Sequence, residues 1–276
     1  LAARQGIDAL HWFAVESNFV NPQTMAKFSM ASPAVAGTFP ATALMYRRGD
    51  VSTPSPAVLK RFDEASLFSL APESEIASVA LDALREADVP EDQRQAASAA
   101  ATFQRGPMVR AFGEEPVKVD RSSAAATGEV RWDENAGVLI VDTPRTQGAA
   151  GFLDEVGDIE LGDLALSCGN AFASVLVTSL DGEPLATSKR LLIQAFTEER
   201  PYGYRVEGGR ITDLGQPPFG VRKIDAAVTL TGPAVSQVTV LGPNGYPADK
   251  TAATDRVRRG TRVRLAPDAL YHVIER

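Results

Sequence analysis

The stretch GEVRWDENAGVLIVDTPRTQGAAGF, residues 128–152, decides how the carboxyl-terminal half is read. Two short runs, Glu129–Trp132 and Val138–Asp142, flank DENAG at 133–137, whose Asn135 and Gly137 suit a hairpin turn with positive φ. Gly148–Phe152 continues as a third strand. The same texture extends to the end of the chain, with strands expected over 163–168, 173–179, 191–196, 210–213, 224–230, 237–241, 261–265 and 271–274. Asp181-Gly182, Gly208-Gly209 and Asn244-Gly245 supply turns between them. Short strands separated by turn signals describe an all-β antiparallel sandwich, placed at 118–276. Leu191, Ile193 and Ala195 alternate onto one face. Asp181-Gly182 reads as scaffold, as do Arg145 and Arg190, which suit structural salt bridges or hydrogen bonds.

Upstream of the sandwich the pattern changes twice. Residues 51–117 read as a linker and helical connector: Ser52–Pro56 is rich in Ser and Pro, and 74–87 and 91–103 are Ala-rich with early acidic residues. Residues 1–50 carry the apolar run Ala9–Val15 (ALHWFAV), which suits a buried strand, then a polar loop and a helix. Ser32 caps that helix with Pro33 at its first position, Gly49 stops it, and Pro40 is expected to kink it. The fold class is therefore α+β.

Composition bounds the function. The chain has 276 residues, 44% hydrophobic and 23% charged, with 22 glycines and 18 prolines, the balance of an ordinary globular protein of about two domains. A net charge of −7 with 28 scattered Lys and Arg argues against a nucleic-acid surface. No run approaches the ~18 apolar residues of a membrane span. The lone Cys168 decides between cytosol and export in neither direction. The chain opens on Leu1 without the regions of a signal peptide, which reads as a truncated or excised piece whose address signal lies upstream.

Self-contained catalytic signatures are absent: there is no nucleophile elbow, no phosphate-binding loop and no zinc-helix motif. With two histidines and one cysteine in the chain, a metal site of the usual ligands is not expected, nor is a cofactor. His272, in a terminal strand pattern, reads as a half-exposed sheet residue. Asp154, Glu155, Asp158, Glu160 and Asp163 crowd one loop; the expectation there is a solvated loop rather than a calcium site. The one concentrated polar and aromatic constellation is His11, Trp12, Glu16, Ser17, Asn18 and Phe19, at the carboxyl end of the first expected strand, where α/β architectures bind ligands. An indole stacking on a sugar beside a carboxylate and an amide makes a sensible carbohydrate subsite. Trp12 filling core with Glu16 solvated is the equally weighted alternative.

Residues 1–51, with ESN at 16–18, Pro22–Lys27 and ALMYRRGDV at 43–51, resemble the last β/α unit of bacterial glycoside hydrolases built on a (β/α)8 TIM barrel. Gly128–Phe152, containing VDTPRTQ at 141–147, and Thr178–Ile193, containing SLDGEPL at 179–185 and SKRLL at 188–192, resemble the all-β domain that follows the barrel in such enzymes. The resemblance implies that residues 1–50 are the terminal unit of a truncated barrel and that the sandwich packs intramolecularly on it. It also implies that the barrel takes a carbohydrate substrate. Such hydrolases use two carboxylates, placed after the fourth and seventh strands. If Ala9–Val15 matches the eighth strand, both lie upstream of Leu1. This chain is then expected to hold no catalytic residue.

Within the fragment, Asp8 would sit about 20 Å from Glu16 across the strand at ~3.3 Å per residue, beyond the ~5–10 Å of a working pair. The leading expectation is the carboxyl-terminal portion of a glycoside hydrolase acting on a polysaccharide or glycoconjugate. The alternative is a non-catalytic carbohydrate-binding or protein-interaction sandwich, disfavoured by sparse aromatics. Localisation stays open, with a secreted or periplasmic parent as the expectation.

Overall fold

The computed structural model describes residues 2–11, 32–55, 58–62, 68, 107–112, 128–133 and 135–276. The chain divides into two units, Leu1–Ala9 with Val51–Gly128 and Leu10–Asp50 with Glu129–Arg276. In the first, β1 (Val58–Phe62) and β2 (Met108–Phe112) pair in parallel. Thr53 Oγ1 donates to Ala3 O at 2.8 Å. Strand is thus present within the stretch read as a helical connector. The segments expected as helix at 74–87 and 91–103 lie outside the described residues.

Along the second unit run α1 (Pro33–Ala36) and α2 (Phe39–Arg48), then β3 (Val130–Asp133), β4 (Val138–Asp142), β5 (Thr146–Gly151), β6 (Ile159–Glu160), β7 (Leu164–Cys168), β8 (Ala173–Ser179) and β9 (Arg190–Phe196). β10 (Glu199–Tyr202), β11 (Arg205–Glu207), β12 (Arg210–Asp213) and β13 (Gln216–Val221) follow as an antiparallel ribbon. The chain closes with β14 (Ala226–Leu230), β15 (Gln237–Leu241), β16 (Ala253–Val257), β17 (Gly260–Arg264) and β18 (Tyr271–Glu275). Seven strands form one antiparallel sheet in the order β15-β18-β9-β8-β5-β4-β3, and five form a second in the order β16-β17-β14-β7-β6. The antiparallel sandwich expected from the turn spacing is present.

Strand alternation explains the core. Val175 and Val177 of β8, Leu191, Ile193 and Ala195 of β9, and Ile274 of β18 point inward from the larger sheet. They meet Leu164 and Leu166 of β7, Val228 and Leu230 of β14, and Val263 of β17 from the smaller one. The hairpin read at 133–137 is formed: Asp133 Oδ1 accepts from the amides of Asn135 and Ala136, both at 3.0 Å, and Gly137 adopts φ 63°. A side chain at Gly137 would also collide with the Phe152 ring.

β8 and β9 are buried on both faces, unlike ordinary two-layer strands that alternate buried and solvated positions. The cause is a third layer. Leu176, Leu192, Tyr271 and Val273, on the outer face of the larger sheet, pack against Ala41 of α2. Ser32 Oγ accepts from Val35 N and Pro33 opens α1, as the capping pattern indicated, and Gly49 ends α2 in the left-handed region at φ 63°. Pro40 does not kink one continuous helix. The break falls at Gly37–Thr38, and Pro40 lies in the first turn of the second helix, where a missing amide costs nothing.

Two further expectations are corrected. Ala9–His11 form no strand; Trp12–Val15, the rest of that run, lie outside the described residues. His272 is not half-exposed but completely buried, its ring on the inward face of β18 beside Ile274. No helix among the described residues is long and apolar enough to cross a membrane.

Ile193 is the residue on which the inward face of β9 is centred. Ile193→Ala is expected to cost about 2–5 kcal/mol in urea unfolding. A loss below about 1 kcal/mol would show that the two sheets do not close on it.

Candidate functional site

The described structure gathers its buried polar groups where α1 and α2 lie on the larger sheet. At the amino-terminal end, the helices borrow their caps from the sandwich. Thr38 makes no side-chain cap to α2; instead the Gln194 amide of β9, itself buried, takes both roles. Its Oε1 accepts from Ala41 N at 2.9 Å and its Nε2 donates to Thr38 O at 2.8 Å. Glu199 Oε2 accepts from Ala34 N at 2.7 Å, and Tyr271 Oη donates to Gly37 O at 2.8 Å. Burial pushes the Tyr271 phenol upward, which keeps that donor protonated. A Cβ at Gly37 would collide first with Pro33 O and then press on Leu270.

At the carboxyl-terminal end, the motif RRGD at 47–50 meets DTPRTQ at 142–147. Asp50, whose side chain is fully buried, accepts from Thr146 Oγ1 at 2.8 Å. It faces Arg48 Nη2 at 2.5 Å and Arg145 Nε at 3.0 Å, the latter as an ion pair without hydrogen-bond alignment. Arg48 also donates to Thr178 Oγ1 at 2.7 Å and Ser179 O at 2.5 Å. Thr146 and Thr178 hydroxyls lie 2.8 Å apart, and Thr143 Oγ1 donates to Thr146 O at 2.8 Å to shape the turn. Isolated burial of a carboxylate is prohibitive, so two guanidinium groups and a hydroxyl on one acid make a structural clasp. It contains no free nucleophile and no acid–base pair; what it does is hold a helix. Arg145 thus takes the structural role read for it. Arg190 lies 3.9 Å from Glu275 with both side chains exposed, a weak pair.

Of the residues singled out for carbohydrate contact, His11 is exposed and outside any regular element. Trp12, Glu16, Ser17, Asn18 and Phe19 lie outside the described residues. The acidic loop does not converge: Asp163 is held by the Gln147 amide at 3.1 Å, Glu160 pairs with Arg259, and Asp154, Glu155 and Asp158 are exposed. No cluster of metal-ligating side chains occurs among the described residues. Asp181 accepts from Ser188 Oγ at 2.7 Å and Lys189 N at 2.8 Å, closing the β8–β9 loop. Desolvation raises its pKa, but the hydrogen bonds from Ser188 and from the backbone of Lys189, Glu183 and Arg190 together outweigh it, and the net shift is downward.

Cavities also open among the described residues. One of about 330 Å³ is lined by Pro33, Phe196, Phe219, Arg222, Asp268 and Leu270. Another of about 190 Å³ holds Cys168 beside Ser167, Asp225, Arg262 and Arg264. Burial pushes the Cys168 thiol up, with the Asp225 charge adding to it, so this sulfur is not poised as a nucleophile.

Gln194, Glu199 and Asp50 were not among the residues singled out by sequence. Gln194 left a trace as the polar residue within the otherwise apolar run LLIQAF at 191–196, and Asp50 as the last residue of the RRGD string. Comparison with family models, with curated proteins and with solved structures finds no match.

Asp50→Asn removes the charge that both guanidinium groups face. It is expected to destabilise the chain by about 2–4 kcal/mol in urea unfolding, below the ~3–5 of a sealed pair because Arg145 keeps 38% exposure. A loss under about 1 kcal/mol would show that the clasp does not carry the helix.

Proposed function

We propose that this chain is the carboxyl-terminal portion of a (β/α)8-barrel glycoside hydrolase acting on a polysaccharide or glycoconjugate. In this reading residues 129–276 are a non-catalytic accessory sandwich, and α2 is the last helix of the barrel.

The observation that carries the reading is that α2 is fastened to the sandwich at both ends, by the Gln194 amide at Thr38 and Ala41 and by the Asp50 cluster with Arg48 and Arg145. Ala41, packed with Leu176, Leu192 and Val273, gives the helix its sheet-facing side.

The meeting of RRGD with DTPRTQ supports the same reading, since both strings carry the glycoside hydrolase resemblance and they touch at Asp50 and Thr146. The role this gives the sandwich is mechanical. It fixes both ends of the helix and so stiffens the barrel segment that leads into it. Hydrolysis would fall to two carboxylates on other strands, through an oxocarbenium-like transition state. Trp12 and the loop from Glu16 to Phe19 would contribute to the sugar-binding floor.

Reading the coding sequence that adjoins Leu1 and assaying both products tests the proposal. The longer protein is expected to contain further β/α units, with carboxylates ending the fourth and seventh strands, and to release reducing sugar from a polysaccharide panel, whereas this chain releases none. Glycoside cleavage by this chain alone, retention of residues 129–276 on a glycan array, or an adjoining sequence without a barrel would each overturn it.

A further inference from the structure

His272 is the one imidazole in the sandwich interior. Its Nε2 accepts from Ala266 N at 2.9 Å, so the neutral ring carries its proton on Nδ1, and that nitrogen has no partner. The ring lies between its cross-strand neighbours Val240 and Ile193, both apolar and buried. The bond it accepts ties β18 to the loop at 266–270. Leu270 O receives Ala195 N at 2.8 Å, and Pro267 O receives Ile224 N at 2.8 Å. Leu270 packs against the outer-face cluster that contains Ala41, and Tyr271 Oη bonds Gly37 O in the turn between the two helices. One acceptor nitrogen therefore stands behind the segment that grips α1 and α2.

We propose that His272 is an acid-sensitive latch: its protonation releases the 266–270 loop and lets the α1–α2 segment leave the sheet while the sandwich core stays folded. A second proton has only Nε2 to occupy. There it would confront the Ala266 N–H, turning an acceptor into a donor facing a donor. The imidazolium would also be buried with no counter-charge. From the 266–270 loop, Asp268 is exposed and held by Lys250 at 2.8 Å. On β9 and β18, Arg190 and Glu275 lie at the exposed far end and face each other, and Tyr271 points to the opposite face of the sheet. β15 carries no charged residue.

The sign follows from burial, which lowers the His272 pKa from 6.5 to about 4. The neutral ring is favoured when docked, so docking is fully stable above about pH 6.5 and weakens as the pH falls from there to about 4. Between pH 7 and pH 4.5 the opening equilibrium is expected to rise by up to roughly 50-fold, the limit set by a ring that becomes fully solvated when the 266–270 loop lifts. Asp50 and Glu199 also face the helices, and any contribution of theirs to an acid response survives when His272 is replaced.

Hydrogen exchange of the whole chain, with protection factors corrected for the intrinsic pH dependence, tests this. In the wild type, amides of residues 34–48 are expected to lose between about tenfold and about 50-fold of protection between pH 7 and pH 4.5, while amides of β7 and β14 lose less than fivefold. His272→Gln, whose amide oxygen can still accept from Ala266 without titrating, is expected to hold residues 34–48 within about threefold over the same range. Equal loss across the helices and the β7–β14 pair, or an undiminished loss in His272→Gln, would overturn the latch. Should that variant fail to fold, the pH at which the His272 ring takes up its proton, followed by NMR in the wild type, must coincide with the loss of protection at residues 34–48, and a mismatch would overturn the latch.

Discussion

Everything on the outer face of the larger sheet depends on one buried carboxylate finding its partners. Asp50 closes the helical segment, and its charge is sealed from water against Arg48, Arg145 and the Thr146 hydroxyl. Such a group is tolerable inside a protein only when those partners are in place, so the arrangement admits few alternatives. A helix merely resting on apolar strands could slide or rotate. One pinned at its carboxyl-terminal end by an ion-pair cluster, and at the other by an amide, a carboxylate and a phenol, is fixed in register. Burial of Ala41 against Leu176, Leu192 and Val273 supplies attraction without direction, and the polar contacts supply the direction.

The same constraint explains the unusual strands at the centre of the sheet. β8 and β9 face a second sheet on one side and α2 on the other, which is why polar residues appear there only where a backbone group or a charge awaits them. Thr178 answers Arg48, and Gln194 answers the open first turn of α2. His272 is the counterpart on the inward face, a polar ring admitted to the core for one backbone amide. The polar groups of the outer face thus converge on the helical segment, while His272 serves the loop at 266–270.

Much of the sandwich was legible because hairpin chemistry is local. Asn135 and Gly137, and Gly208 and Gly209, mark hairpins whose flanking strands pair, while Asn244 and Gly245 mark a turn between β15 and β16, which lie in different sheets. The Ser32 cap and the Gly49 stop are equally local, and both are present. What spacing does not reveal is contact across long sequence separation. Nothing near Asp50 announces residue 145, and nothing near Ala41 announces residue 194. His272 sits in a strand whose period places it inward, yet imidazole polarity argued for half exposure. Packing overrode that preference because Ala266 offered a donor. The sugar-contact constellation stood on the strand read at Ala9–Val15, and its described part, through His11, is irregular and exposed.

Cutting the chain on both sides of the helical segment measures the central claim most directly. With protease sites inserted at Asp8 and Ser55, both exposed and outside regular elements, cleavage leaves residues 9–55 joined to the sandwich by non-covalent contacts alone. The account predicts that this fragment co-elutes with residues 56–276, which carry the sandwich, on native gel filtration at neutral pH and separates in denaturant. Separation of the fragment under native conditions would contradict it.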